Sequence, residues 1–426
     1  MTEQGILEGI KIAEFAWVIV GPQVGRELAG HGATVVRVES HKRPDINRVS
    51  TPYKDGISGI DRSGYWTPWN PNKYGMSLDL SKPRGREVAR RLVAWADIVT
   101  ESMTPGSVAR LGLDYESCRQ IKPDIIYFST CQMGQQGPYR AFGGYGQMGA
   151  AYAGLSHLTG WPDRSAVLLP NAPPDFISAW YLCSVVLAAL DYRRRTGKGL
   201  YLDQSQIEAG ITFWGPAFLD YAVNGRIPNR MGDRDPNMSP HGAFPCLSFS
   251  GKDQGDDDWV VIAVANDDEW QALCRCMGDP EWAREPRFAT LLRRKENEDE
   301  IEPLIAEWTK DYAPRQLMVM LQEAGVAAGA VSTAQSLLED PQLRHRGHFV
   351  PLEHKVIGML HYAMPAYRLS KTPGQLYKAA PCLGQDNEYV YKEILGYSDD
   401  EVTQFLIDGV VTTEHDVPDV LKPKPK

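Results

Sequence analysis

The chain has 426 residues, with 45 Lys and Arg against 54 Asp and Glu, a formal charge of −9. At about 150 residues per domain, that length predicts two or three domains. Hydrophobic residues at 43% and charged residues at 23% exclude a disordered or fibrous chain, and the lack of a dominant basic stripe argues against a nucleic-acid partner.

The first nine residues contain no basic stretch followed by an apolar one, so no targeting signal is expected. Residues 10–15 predict a strand that Gly21-Pro22 breaks. Residues 23–29 predict a helix ended by Gly30-His31-Gly32, and residues 33–39 a second strand. Strand, turn, helix and strand in this order form a βαβ unit with a parallel sheet. The first turn lacks G-x-G-x-x-G, so the dinucleotide fingerprint is missing. Residues 40–72 are rich in Pro, Gly, Asp and aromatics, and such a length predicts a functional or covering segment. Pro83 opens a helix that turns Val88, Leu92, Val93 and Trp95 inward. Residues 97–100 and 123–129 predict strands on either side of a polar helix at 115–121, and a Gly-rich segment fills 134–149.

Residues 176–190 are almost wholly apolar, bounded by Asp175 and by Asp191 to Arg195. The stretch is short for a membrane span and predicts a buried core helix. Residues 200–203 predict a strand and 204–213 a helix. The loop-like segment 223–245 marks a domain boundary. Beyond it come a strand at 259–265, an acidic helical region to 323, and a turn and strand at 325–331. Residues 251–302 hold 15 acidic against 7 basic side chains, a net of −8, so the rest of the chain is nearly neutral and free to host a local basic site. Residues 359–369 look extended, and a mobile tail is expected from 418 onward.

Nucleophile and metal motifs are missing: there is no G-x-S-x-G, no P-loop and no H-E-x-x-H. Seven Cys without C-x-x-C, together with scattered His, predict free thiols in a reducing, cytoplasmic setting and no bound metal. Asp175 follows Pro173-Pro174 at the head of the apolar helix and has two readings. It is either a helix N-cap that accepts backbone N–H bonds, or a carboxylate kept ionised by the helix dipole and able to act as a nucleophile without a general base. The sequence pattern alone leaves both open.

Motifs along nearly the whole chain resemble one family in the same order. They begin with Gly9-Ile10-Lys11-Ile12, Gly21-Pro22 and Gly32-Ala33-Thr34-Val35-Val36-Arg37-Val38-Glu39. They continue through Asn72-Lys73, Leu78-Asp79-Leu80, Ala96-Asp97-Ile98-Val99, Pro105-Gly106 and Arg110-Leu111-Gly112-Leu113. Gly137-Pro138-Tyr139, Gly144-Tyr145, Leu158-Thr159-Gly160, Asp175 and Arg195-Thr196-Gly197-Lys198-Gly199 follow. Pro240-His241-Gly242, Asp340-Pro341-Gln342-Leu343 and Leu383-Gly384-Gln385 complete the series. This pattern resembles the class III CoA-transferases, the CaiB/BaiF family.

The resemblance implies an α/β fold: a Rossmann-like large domain with a parallel sheet (residues 1–225), a smaller α+β domain with its linkers (226–345), and a return to the large domain (346–426). It implies dimers interlocked like chain links. It also implies transfer of CoA between carboxylic acids through aspartyl anhydride and aspartyl-CoA thioester intermediates. By the same resemblance Asp175 is the expected nucleophile, a CoA thioester the expected substrate, and no permanently bound cofactor is expected. CoA contacts fall on Val20, Lys73, Ser102, Met103 and Arg110, with Tyr145 beside the reacting centre. Ser40 stands where several relatives carry Arg, with Lys42 or Arg43 as substitutes, and Gly146 stands where many carry Asp or Glu. The racemases of the superfamily use a His and an acid near Tyr145, which Gly143-Gly144-Tyr145-Gly146-Gln147 does not offer. Arg43-Pro44-Asp45, Arg62-Ser63-Gly64-Tyr65 and Asn70-Pro71-Asn72-Lys73-Tyr74 resemble the subunits of succinyl-CoA:benzylsuccinate CoA-transferases. That likeness implies a homodimer or a pair of homologous subunits, and an aryl acceptor against Tyr65, Trp66 and Trp69.

Overall fold

The computed structural model describes residues 5–247 and 258–422. The chain forms two compact units. The larger holds residues up to 155, then 168–226 and 345 onward, and the smaller holds 156–167 and 227–344. Residues 156–167, which the sequence boundaries leave in the large domain, group with the smaller unit.

The larger unit is built on six parallel strands: β1 (Lys11–Glu14), β2 (Thr34–Glu39), β3 (Lys73–Ser77), β4 (Ile98–Glu101), β5 (Ile126–Cys131) and β6 (Leu200–Ser205). Their order is β3-β2-β1-β4-β5-β6. Ile12 pairs with Val35 and Ile98, and Ala13 with Val36 and Val99. Successive side chains point to opposite faces of a strand, so each face receives one set. The elements between and after the strands include α1 (Val20–Gly30), α2 (Pro83–Trp95), α3 (Tyr115–Ile121), α4 (Gly146–Tyr152), α5 (Pro173–Thr196), α6 (Gln206–Thr212) and α7 (Gly215–Asn224). Ile12, Val35, Ile98 and Ile126 pack with Val24 and Leu28 of α1 and Ala179, Leu182 and Val186 of α5. Ala13, Val36, Val99 and Tyr127 pack with Val88, Leu92 and Val93 of α2 and with the returning chain at Val390, Tyr391 and Phe405. Both faces are thus covered, as a parallel sheet requires.

Three local expectations change. Gly21-Pro22 does not break the chain after β1 but lies in the first turn of α1, where the missing proline N–H costs nothing. Strand β3, Lys-Tyr-Gly-Met-Ser, has no alternating pattern and no β-branched residue, which hides it from sequence reading. Its Gly75 lets Pro381 and Cys382 of the return segment approach: a Cβ there would lie 3.0 Å from Pro381 Cβ. Finally, α5 is buried on one face only. Ser178, Ala179, Leu182, Val186 and Ala189 pack inward, while Trp180, Tyr181, Val185 and Leu187 are exposed.

The smaller unit is α+β. It has an antiparallel sheet of β7 (His241–Pro245), β8 (Trp259–Ala263) and β9 (Ala327–Ala330), together with α8 (Asp267–Cys276), α9 (Glu298–Thr309) and α10 (Pro314–Glu323). Val260, Ile262, Trp270, Leu273, Ile301, Ile305, Leu317 and Leu321 form its core. Much of the acidic composition sits in helix first turns, Asp267 to Glu269 in α8 and Glu298 to Glu300 in α9, where it complements the positive helix end. Residues 251–257 of the acidic stretch and 423–426 of the tail lie outside the described residues.

Candidate active site

In a doubly wound sheet the ligand crevice lies beyond the carboxyl ends of the strands where the order reverses. Here that point is between β1 and β4. Trp17 to Val20 after β1 and Ser102, Thr104 and Pro105 after β4 line a cavity of about 170 Å³, joined by Cys131, Gln132 and Gln206 from the ends of β5 and β6. The Gly-rich segment contributes Arg140 and the run from Phe142 to Gly146, and α5 contributes Asp175. A second cavity of about 340 Å³ reaches Asp175 from the side of Ile46, Asn47, Ser50, Tyr65 and Asn171. Val18, Ile19, Tyr145, Gly146 and Asp175 line both. Among the described residues, neither cavity is lined by a His or by a second carboxylate.

Asp175 is the third residue of α5, and the N-cap position belongs to Ala172. The capping role therefore does not apply. Asp175 is 5% exposed, and among the described residues its Oδ1 has no hydrogen-bond partner. Burial raises its pKa to about 7. The expectation of a firmly ionised carboxylate is corrected accordingly: loss of water outweighs the favourable helix end. Gly146 makes the packing feasible. A Cβ at this position would stand 2.2 Å from Ala172 Cβ and 2.5 Å from Asp175 Oδ2, so only glycine admits this approach. Tyr145, the residue preceding α4, is half exposed at the rim shared by the two cavities.

A buried ion network lies behind Val18, which lines both cavities. The Arg37 guanidinium donates to Glu14 (2.7 Å), Glu39 (3.2 Å) and Asp45. Arg48 donates to Glu39 (2.8 Å) and Asp61 (2.6 Å). Burial opposes the ionisation of Glu39, yet Arg48 and Arg37 hold its pKa down to about 2. Lys73 belongs to this network and not to the surface. Its Nζ donates to both Glu14 oxygens (2.9 and 3.0 Å), to Asn70 Oδ1 (3.0 Å) and to the Pro22 carbonyl (2.7 Å), with no exposure at all. Burial lowers its pKa to about 8, against the pull of Glu14. The expected phosphate contact at Lys73 is corrected: an ammonium enclosed by four oxygens presents no charge to a ligand.

The network also reaches the cavity wall at Val18. This residue has φ 68°, a left-handed conformation that costs a β-branched side chain on the order of 1–3 kcal/mol. Its N–H donates to Asp45 Oδ2 (2.9 Å), and its carbonyl accepts from Asn47 Nδ2 (2.7 Å).

The remaining candidates divide between two places. Val20, Ser102, Tyr145 and Asp175 meet in the first cavity. The Ser102 hydroxyl is already committed, accepting from Trp17 N–H (2.7 Å) and donating to Trp17 O (3.1 Å), so it stitches the β1 and β4 loops together. Met103 lines a separate cavity of about 350 Å³ with Trp17, Ser40, Lys42, Arg43 and Leu111. Arg110 precedes Leu111 in sequence and is exposed, with Nη2 donating to Ser107 (3.2 Å). Arg43 stacks over Trp17 at 5.7 Å, and Lys42 bonds Asp79 at 2.9 Å. Of the loop aromatics only Tyr65 lines a cavity at Asp175. Trp66 is buried beneath Arg48 at 3.5 Å, and Trp69 packs on Phe176. Arg140 was not foreseen because it lies in an irregular Gly-rich run. Glu101, whose pKa burial raises to about 7, was hidden because it ends a strand.

Comparison with known proteins places this geometry. Residues 7–387 match the family model for CoA-transferase family III. The succinyl-CoA–D-citramalate CoA-transferase of Chloroflexus aurantiacus is 32% identical over 405 residues, covering 95% of this chain and 98% of that protein. The succinate–glutarate CoA-transferase of Agrobacterium fabrum is 31% identical over 390 residues, covering 91% and 95%. The crystal structure of a CaiB/BaiF family protein from Brucella suis superimposes with a TM-score of 0.82 at 31% identity, covering 92% of this chain and all of that one. A six-strand switch-point sheet with the desolvated Asp175 carboxylate at its crevice is thus found in a chain that belongs to CoA-transferase family III.

Proposed function

We propose that the protein transfers CoA from succinyl-CoA to a second dicarboxylic acid, with Asp175 as the covalent nucleophile. The carrying observation is the placement of Asp175: buried, without a hydrogen-bond partner at Oδ1, and shared by two cavities. The carboxylate attacks the thioester carbonyl carbon, the C–S bond breaks, and CoA leaves as thiolate. The thiolate then attacks the aspartyl carbonyl of the mixed anhydride, releasing the donor acid and leaving an aspartyl-CoA thioester. The acceptor carboxylate attacks that thioester, and the returning thiolate takes the acceptor acyl group and restores Asp175. One thioester replaces another, so no external energy source is required and no proton has to move. A carboxylate whose water has been removed is a stronger nucleophile than one in solution, and positioning supplies much of the rate. Among the described residues neither lining offers a His or a second acid as the base pair that α-proton exchange needs.

The nucleotide half of CoA is assigned to the Met103 cavity. Arg43 and Arg110 offer charge to the phosphates there, and Arg140 offers it beside Asp175. The acid is assigned to the cavity lined by Ile46, Tyr65 and Asn171. Relatives that act on citramalate and glutarate support a dicarboxylate, and Ile46 with Tyr65 favours a substituted succinate, with benzylsuccinate as the aryl case. The exposed apolar face of α5 is assigned to a second copy or a homologous subunit, and so is α7, which buries none of its residues and exposes Leu219, Tyr221 and Val223. Seven free thiols suit the cytoplasm. The test is to incubate the protein with succinyl-CoA, trap with hydroxylamine or borohydride, and locate the label by mass spectrometry. Label at Asp175, lost together with activity in Asp175→Ala, supports the reading. Transfer at an undiminished rate in Asp175→Ala refutes it.

A further inference from the structure

We propose that Asp45 and Asn47 are positioning residues that clamp Val18 in its left-handed conformation and thereby aim the first N–H groups of α1 at the cavity of Asp175. The proposal rests on the reading of Asp175 as the reacting group.

Val18 does not adopt a positive φ by preference, so something must hold it there. Both of its backbone polar groups are held by one short turn. Asp45 takes the N–H at 2.9 Å, and Asn47 gives its amide to the carbonyl at 2.7 Å. The turn is itself pinned: Asp45 Oδ1 accepts from Asn47 N–H at 2.9 Å, and the buried Arg37 guanidinium grips Asp45 Oδ2. An unbroken series of bonds therefore runs from strand β2 to Val18. Val18 is followed by Ile19 and Val20, and all three line the cavity that Asp175 lines. Val20 and Gly21 open α1, and their N–H groups have no acceptor within the helix. Attack by Asp175 places negative charge on the thioester oxygen, and donors fixed beforehand stabilise that charge without reorganising. If Val18 relaxes to a negative φ, the turn swings and these donors lose their aim. The strained residue is thus the hinge, and the Asp45–Asn47 turn is the latch.

Asn47 also borders the second cavity, so a direct substrate contact is the competing explanation. Glycine at position 18 separates the two, because it takes φ 68° without strain. The assay is exchange of labelled succinate into succinyl-CoA by the full chain. Asn47→Ala is expected to lower kcat by about 30-fold with KM for succinyl-CoA within about 3-fold, the pattern of misaligned donors rather than lost binding. In the Val18→Gly background the same substitution is expected to cost less than about 5-fold, because no strain is released. Equal losses in both backgrounds overturn the clamp, and so does an Asn47→Ala enzyme with unchanged kcat. Asn47→Asp, which keeps the size but sets an oxygen against the Val18 carbonyl, must repeat the kcat loss, and thermal melts confirm that each variant is folded. Asp175→Ala is assayed in parallel. Exchange surviving in it fails the nucleophile reading itself, whereas an inactive Asp175→Ala beside a fully active Asn47→Ala fails the clamp alone.

Discussion

Replacing Asp175 with Asn should remove activity and stabilise the protein at pH 8, by an amount that shrinks to nothing or reverses at pH 5. Burial holds the folded-state pKa at about 7, against an ordinary value of 3.8. The folded form therefore binds a proton that the unfolded form has released, throughout the window between those values. The stability contribution is present at low pH and is lost as pH rises through this window. At about 1.4 kcal/mol per unit, the full gap is worth about 4 kcal/mol by pH 8, of which roughly 1.5 kcal/mol is already lost at pH 5. Asn carries no charge and escapes this cost, although its amide pays about 1–3 kcal/mol for an unpaired buried group at either pH. The amide term cancels in the comparison between pH values. The stabilisation by Asp175→Asn should then be larger at pH 8 than at pH 5 by about 2–3 kcal/mol. Urea unfolding of both proteins at both pH values measures this difference directly. The wild-type rate should rise about tenfold from pH 6 to pH 8, tracking the ionised fraction of a group with a pKa near 7. Equal stabilisation at the two pH values, or a rate flat from pH 5 to pH 8, would refute a desolvated carboxylate at this position.

Gly146→Ala should force the Asp175 carboxylate aside, costing about 1–3 kcal/mol of stability and lowering kcat by about 100-fold; a wild-type rate in this variant would contradict the contact. Lys73→Met should cost about 3–5 kcal/mol by leaving Glu14 short of a partner in the buried network, seen as a fall in melting temperature. In contrast, Arg43→Ala and Arg110→Ala should raise KM for the acyl-CoA with little change in melting. A Lys73→Met protein that melts normally but binds CoA poorly would reverse that assignment.

Much of the larger unit was legible because its strands carry Ile and Val in short apolar runs between breakers. Residues 10–15 and 33–39 lie over β1 and β2 for that reason. Strand β3 was not legible, since its place in the sheet comes from pairing with β2 and from a glycine that admits the return segment. Asp175 was visible as a carboxylate before an apolar helix, but its missing partner was not, because desolvation comes from residues distant in sequence. Lys73 misled for the same reason. The family resemblance at Asn72-Lys73 implied a CoA contact, and only the fold sets Glu14 and Pro22 around this lysine. Val18 gave no signal at all, since strain is a property of the backbone and not of the residue type.

The Asp175 carboxylate rides in the first turn of a helix of 24 residues whose inner stripe is set into the sheet and whose outer stripe is bare. Ala172 and Gly146 meet there without room for a methyl group, so the helix rests against a hard stop at the end that carries Asp175. Sliding the rod outward by an ångström would admit water to the carboxylate and let its pKa fall toward that of an ordinary aspartate. The titration of that one side chain is therefore a gauge of how closely the first turn of the helix is seated against Gly146.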